Sequence, residues 1–118
     1  MANQVLGRAF IKVNGKTLPT HKGAKLNQGG IARKGVVGHE VHGFAEEMVA
    51  PMLECEISLA KGDKLSNYDL SDATVVFECD TGQSYVLRNA WREETPQLTD
   101  GEGGKIPLKF SAMKCEEM

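Results

Sequence analysis

Apolar and polar side chains alternate with a period of two along much of this chain, which restricts those stretches to strands with one buried and one wet face. From Leu53 to Leu59, Leu53, Cys55, Ile57 and Leu59 lie on one side and Glu54, Glu56 and Ser58 on the other. Ala73, Val75, Phe77 and Cys79 then alternate with Thr74, Val76, Glu78 and Asp80. In Ser84–Arg92, the residues Tyr85, Leu87 and Trp91 are expected to share a face. A last strand points Ile106, Leu108, Phe110 and Ala112 inward and Lys105, Lys109 and Ser111 outward. Pro107 has no N–H for a ladder, so this strand lies at an edge or pairs irregularly near its start.

Turn chemistry joins these strands into hairpins. Asn14-Gly15 sits between Ala9–Val13 and Lys16–Leu18, and a two-residue type I′ turn needs positive φ at both central positions. Asp80-Thr81-Gly82-Gln83 links the second pair of strands. Only Asp63–Leu70 reads as helical: Asp63 is placed to cap and Leu65 and Tyr68 are three apart, while Gly62 and Ser71-Asp72 limit it to about two turns. The expected fold is mainly β, an antiparallel β-barrel or two packed sheets with one short α-helix over residues 63–70. At 118 residues the chain is expected to form a single domain, 1–118, burying roughly two-thirds of its unfolded surface.

Two regions fit no strand. Residues 97–104 read as a turn ending in Gly101-Glu102-Gly103-Gly104. Residues 27–47 hold Gly29, Gly30, Gly35, Gly38 and Gly43 and read as a long glycine-rich loop. Loops of about 20 residues are uncommon in compact domains and usually functional. This one buries too little on its own body to offset an ordering cost of about 1–2 kcal/mol per residue. Mobility in the isolated subunit and ordering against a neighbour are the expectation.

The same region contains VVGHEVHGF, with His39 and His42 on either side of Glu40. A helical zinc site needs histidines four apart on one face, whereas these are three apart, flanked by Gly38 and Gly43. A catalytic zinc also needs a third protein ligand and an orienting shell, and His21 is the only other histidine. Exposed loop histidines are the simpler reading, so neither metal nor cofactor is expected. No GxSxG elbow is present, and Cys55 and Cys79 fall on inward strand positions, where cysteine behaves as a small hydrophobe. The pairs Glu46-Glu47, Glu93-Glu94 and Glu116-Glu117 point to opposite faces of a strand and suit solubility rather than acid–base work. Gly101–Gly104 lacks the helix that follows a phosphate loop. An enzyme is not expected.

Charge is divided along the chain. Residues 1–39 carry Arg8, Lys12, Lys16, Lys22, Lys25, Arg33 and Lys34 and no acid, while the remainder holds the other 7 bases and all 16 acids. A basic arm for nucleic acid is one reading, weakened by 6% aromatics. Internal neutralisation and contact between oppositely charged faces of separate copies remain open. The three widely spaced cysteines form no CxxC, and reduced thiols are the default. No apolar run is long enough to span a bilayer, and MANQVLGRAF carries no export pattern, so no membrane anchor is expected.

The order of pieces resembles the tail tube proteins of Mu-type contractile-tailed phages. The match runs through Asn14-Gly15-Lys16, Ala24-Lys25-Leu26, Gly29-Gly30, Arg33-Lys34-Gly35-Val36 and Gly38-His39-Glu40. It continues through Gly43-Phe44, Glu46-Glu47, Val49-Ala50-Pro51, Glu54-Cys55, Leu70–Val75, Asp80-Thr81-Gly82, Ala90-Trp91, Gly101–Gly104 and Leu108-Lys109-Phe110. It covers essentially the whole chain and departs around Val41-His42. The resemblance implies a structural virion protein that self-assembles into stacked hexameric rings, the inner tube of a contractile tail and conduit for DNA ejection. It implies the tail sheath, tape measure protein, baseplate hub and tail terminator as partners, with DNA passing through the lumen without specific binding. Assembly would take place in the host bacterial cytoplasm and the product would reside in the virion.

In that family a long loop in this part of the chain serves contact between subunits. The expected interface therefore comprises Arg33, Lys34, His39, Glu40, His42, Gly43, Phe44, Glu46 and Glu47. Phe44 would be the apolar anchor, Arg33, Glu46 and Glu47 its charged flanks, and His39 and His42 incidental contacts. The competing reading is a monomeric β-barrel module that binds a small ligand or metal.

Overall fold

The computed structural model describes residues 3–95, 97–101 and 104–118. Its strands are β1 (Ala9–Val13), β2 (Lys16–Thr17), β3 (Lys25–Asn27), β4 (Gly30–Val37), β5 (Val41–Val49), β6 (Met52–Ser58), β7 (Ala73–Cys79), β8 (Ser84–Arg92), β9 (Lys105–Ser111) and β10 (Lys114–Glu117). The main sheet runs β2-β1-β7-β8-β9-β6-β3, with β10 added beside β8, and β4 pairs only with β5. All strand pairings among the described residues are antiparallel.

The strands that alternate in sequence alternate in burial, except that Ser111 at the end of β9, expected outward, is buried beside Phe110 and Ala112. Leu53, Cys55 and Ile57 of β6, Val75 and Phe77 of β7, and Ile106, Leu108 and Phe110 of β9 are buried, and they join Ile11 and Val13 of β1 in one cluster. The two arms of the sheet thus share a core, in which each fully buried aliphatic or aromatic side chain contributes about 1.5–3 kcal/mol. No barrel closes among the described residues: β2 and β3 stand at opposite ends of the strand order and do not pair with each other.

The β1–β2 turn has the expected backbone, with Asn14 at φ 50° and Gly15 at φ 85°. Asn14 is also fixed from outside, since its side-chain oxygen accepts the Thr74 N–H at 3.0 Å and its own N–H donates to the Thr74 carbonyl at 2.9 Å. Pro107 pairs with Glu56 of β6, while β8 reaches only Phe110 and Ser111 of β9. The proline therefore occupies a stretch of β9 with no strand on its second side, as its missing donor requires.

β8 is where the sheet turns. Its first half pairs with β7 and β10, and Trp91 and Arg92 pair with β9. Between them Asn89 adopts φ 53°, and the register moves from Val75↔Leu87 to Ala73↔Ala90, leaving one extra residue on β8. Such a bulge bends a strand and shifts its side-chain phase. Asparagine tolerates the left-handed region, and here its amide also donates to Asp72 Oδ1 at 2.9 Å. The expected Tyr85–Leu87–Trp91 face is therefore corrected. Ala90 takes the fully buried position, and Trp91 is half-buried with its indole N–H donating to Glu93 Oε1 at 3.2 Å.

Two further expectations change. The segment 63–70 forms a single 3-10 turn, Leu65–Tyr68, rather than an α-helix. The Asp63 carboxylate accepts the Ala60 N–H at 2.9 Å instead of capping a helix. Residues three apart eclipse in a 3-10 turn, so Leu65 and Tyr68 still face the core together. The glycine-rich region 27–47 is no loop: it is the end of β3, all of β4 and most of β5. Of the Gly101–Gly104 turn, the Gly104 N–H donates to the Gly101 carbonyl at 2.9 Å, and residues 102 and 103 lie outside the described residues.

Candidate functional site

The β4–β5 hairpin is the feature the body does not account for. Every residue of its eight- and nine-residue strands is exposed except Val49, which is half-buried. The described chain measures 59 × 45 × 27 Å, with a radius of gyration of 17.2 Å. A compact chain of this length would have a radius near about 13–14 Å. The hairpin stands away from the core.

Its base is built from glycine. Gly29 and Gly30 take φ 75° and φ 108° in succession, and the Gly29 N–H donates to Asn27 Oδ1 at 2.9 Å. A Cβ on Gly29 would lie 2.6 Å from the Pro51 nitrogen and 2.7 Å from the Val49 carbonyl oxygen. The outgoing and returning strands can approach this closely only because residue 29 has no side chain. At the far end, Gly38-His39-Glu40 connects Val37 to Val41, closed by the Gly38 N–H on the Glu40 carbonyl at 2.9 Å. His42 is the extra residue of a bulge between the Val36↔Gly43 and Val37↔Val41 pairs, and its ring lies against Gly38.

Register sorts the hairpin's side chains onto two faces, because residues directly opposite share a side. One face presents Ile31 with Met48, Arg33 with Glu46, and Phe44 opposite Gly35. Its large apolar side chains are bare: Ile31 is 55% exposed, Phe44 62% and Met48 76%. The Arg33 guanidinium lies over the Phe44 ring, 5.7 Å from its centroid. The other face carries Ala32 with Glu47, Lys34 with Ala45, and Val36 with Gly43, and Lys34 Nζ reaches Glu47 Oε2 at 3.5 Å. Both partners of that pair are well exposed, so it contributes little to stability.

The structure thus brings the sequence-predicted residues onto one element in distinct places. Arg33, Phe44 and Glu46 share a face, Lys34, Gly43 and Glu47 the opposite one, and His39, Glu40 and His42 the tip. A two-stranded hairpin alone is marginal in water. One that displays this much apolar surface is suited to being covered. The sequence reading missed Ile31 and Met48 as interface candidates. Their signal was the apolar cross-strand pair itself, visible only once residues 27–47 are paired as strands.

The histidines do not converge. His21 sits on the body, with Nε2 3.0 Å from Ser58 Oγ, and among the described residues no three His, Cys, Asp or Glu side chains form a metal-binding group. Burial pushes the Cys55 thiol up to about 12, with the neighbouring Glu56 charge adding to the effect, so it is no nucleophile. No described helix is long and apolar enough to cross a membrane.

Relatives of the chain share this architecture and, for some, its sequence. It is 39% identical over 119 residues to the Mu-like prophage FluMu tail tube protein of Haemophilus influenzae, covering 100% of this chain and 99% of that one. It is 35% identical over 117 residues to the tail tube protein of Escherichia phage Mu, covering 98% and 97%. Among solved structures it superposes on a chain of the sheath/tube terminator of an extracellular contractile injection system, PVC, with TM-score 0.69 at 8% identity, covering 100% and 98%. The sheath-tube complex of the same system gives TM-score 0.66 at 9% identity, covering 94% and 88%. Those two likenesses establish the fold. The sequence model described as Phage tail tube protein matches residues 2–117, and with the two close relatives it settles the matter: the chain belongs to the phage tail tube protein family, structural components of the virion rather than enzymes.

Proposed function

We propose that the protein forms hexameric rings that stack into the inner tube of a contractile phage tail, through which DNA leaves the particle. Family membership supports the tube, and the solved relatives come from contractile systems in which a tube meets a sheath and a terminator. By the same reading this tube contacts a tail sheath, a tape measure protein, a baseplate hub and a tail terminator, and is assembled in the host cytoplasm. DNA slides past without specific binding.

The observation that carries self-assembly is the projecting hairpin, whose apolar face its own body leaves bare. Arg33, Lys34, His39, Glu40, His42, Gly43, Phe44, Glu46 and Glu47 act there as subunit contacts, with Ile31 and Met48 beside Phe44. Electron microscopy of the purified protein at high concentration tests the reading. Hollow tubes with six-fold end views are expected; a monomer at every concentration would favour a binding module instead.

A further inference from the structure

A cleft of about 580 Å³ opens on the body between the segment leading into β1 and the stretch between β2 and β3. Leu18 and Phe77, both buried, contribute to its wall, and Leu6 and Phe10 are 55% and 43% exposed along it. Arg8 and Lys22 line it, and no acid does. Neither side chain has an acidic partner among the described residues, since Arg8 is tied to Asp80 only through its backbone.

The hairpin is the complement of this cleft. Its bare face offers an aromatic side chain and two aliphatic ones, together with Glu46, which forms no ion pair although it stands opposite Arg33. The guanidinium lies over Phe44 instead. A second unpaired acid, Glu40, sits at the tip. Unpaired acids beside an exposed apolar face match unpaired bases beside an apolar cleft. Clefts of this size bury most of an aromatic group, and aromatic anchors in such pockets supply most of an interface's energy.

We propose that the β4–β5 hairpin of one copy seats Phe44, with Ile31 and Met48, in the Leu6–Phe10 cleft of another, Glu46 and Glu40 pairing there with Arg8 and Lys22. This rests on the self-assembly reading and names its seat. Charge then fixes orientation while the apolar side chains hold the contact.

Two experiments test it on the full chain. The variants Glu40→Lys/Glu46→Lys and Arg8→Glu/Lys22→Glu should each raise the concentration needed for tubes at least tenfold. The chain carrying all four substitutions should recover to within about threefold of the parent, because both signs are reversed together. Circular dichroism should be unchanged throughout, since all four side chains lie outside the core. In the Cys79→Ser/Cys115→Ser background, which keeps the apolar anchors, Gly35→Cys chains (beside Phe44 on the same face) mixed with Thr20→Cys chains (in the cleft wall) should form a disulfide-linked dimer on oxidation after assembly and not before. Tubes that form without that link, or a four-fold variant no better than its parents, overturn the seat and leave the tube reading intact. A parent chain that forms no tubes overturns both.

Discussion

Gly29 is the single residue on which the hairpin's exit most depends. A left-handed φ costs a residue with a Cβ about 1–2 kcal/mol, and here the added carbon would also meet rigid backbone at 2.6–2.9 Å. Gly29→Ala should therefore loosen the hairpin and speed proteolysis after Arg33 or Lys34. Because releasing the hairpin relieves the strain, stability of the fold in chemical denaturation should fall by no more than about 1 kcal/mol. Gly35→Ala, where a Cβ meets nothing within 4 Å, should change it by less than about 0.5 kcal/mol. A second residue-scale prediction concerns Cys55. Its thiol ionises near 9 when unfolded and is pushed up to about 12 in the fold, so the unfolded chain holds fewer protons between those values. Stability is thus complete below pH 9 and falls as pH rises towards 12, by an amount on the order of a few kcal/mol. Thermal melts from pH 8 to 11 should show a shallower alkaline decline in Cys55→Ala than in the parent, although the variant starts less stable.

At the scale of elements, strands that bury one face were legible and those that bury none were not. β6, β7 and β9 announce themselves because the core enforces alternation: Leu53, Cys55 and Ile57, or Ile106, Leu108 and Phe110, must all point one way. β4 and β5 are wet on both faces, so no burial imposes a period, and five glycines in the region suggested a loop. β10 went unseen for a related reason. Its KCEE is held by backbone pairing to β8 and by Glu116, which reaches Arg88 at 3.2 Å and Lys114 at 3.3 Å, not by an apolar stripe. The hydrogen bonds from Arg88 and Lys114 hold the Glu116 carboxyl below its ordinary range. The bulge at Asn89 was hidden because an extra residue shows only against its partner strand. The interface candidates, chosen as loop residues, lie on the strands and tip of a hairpin. Because that hairpin adds nothing to the core, replacing residues 31–48 with a short glycine linker should cost under about 1 kcal/mol of body stability. It should also abolish tubes, with circular dichroism and sedimentation as the readouts.

For the molecule as a whole, the charge division survives folding only in part. Lys12 pairs with Glu78 at 3.2 Å and Lys34 with Glu47 at 3.5 Å, but Lys16, Lys22 and Lys25 form no ion pair among the described residues. These bases are available to a second copy. Raising ionic strength from about 0.1 M to 1 M shortens the screening length from about 10 Å to 3 Å. The concentration needed for assembly, followed by sedimentation, should accordingly rise several-fold and then level off where apolar contact carries the rest. Oligomers indifferent to salt would mean that the charges play no part in joining copies. With the proposed seat, a copy stripped of the hairpin would keep its cleft and so add to the end of a polymer, yet have nothing to extend to the next unit. Small amounts of such a truncated subunit would act as chain terminators, setting polymer length by their ratio to the intact protein.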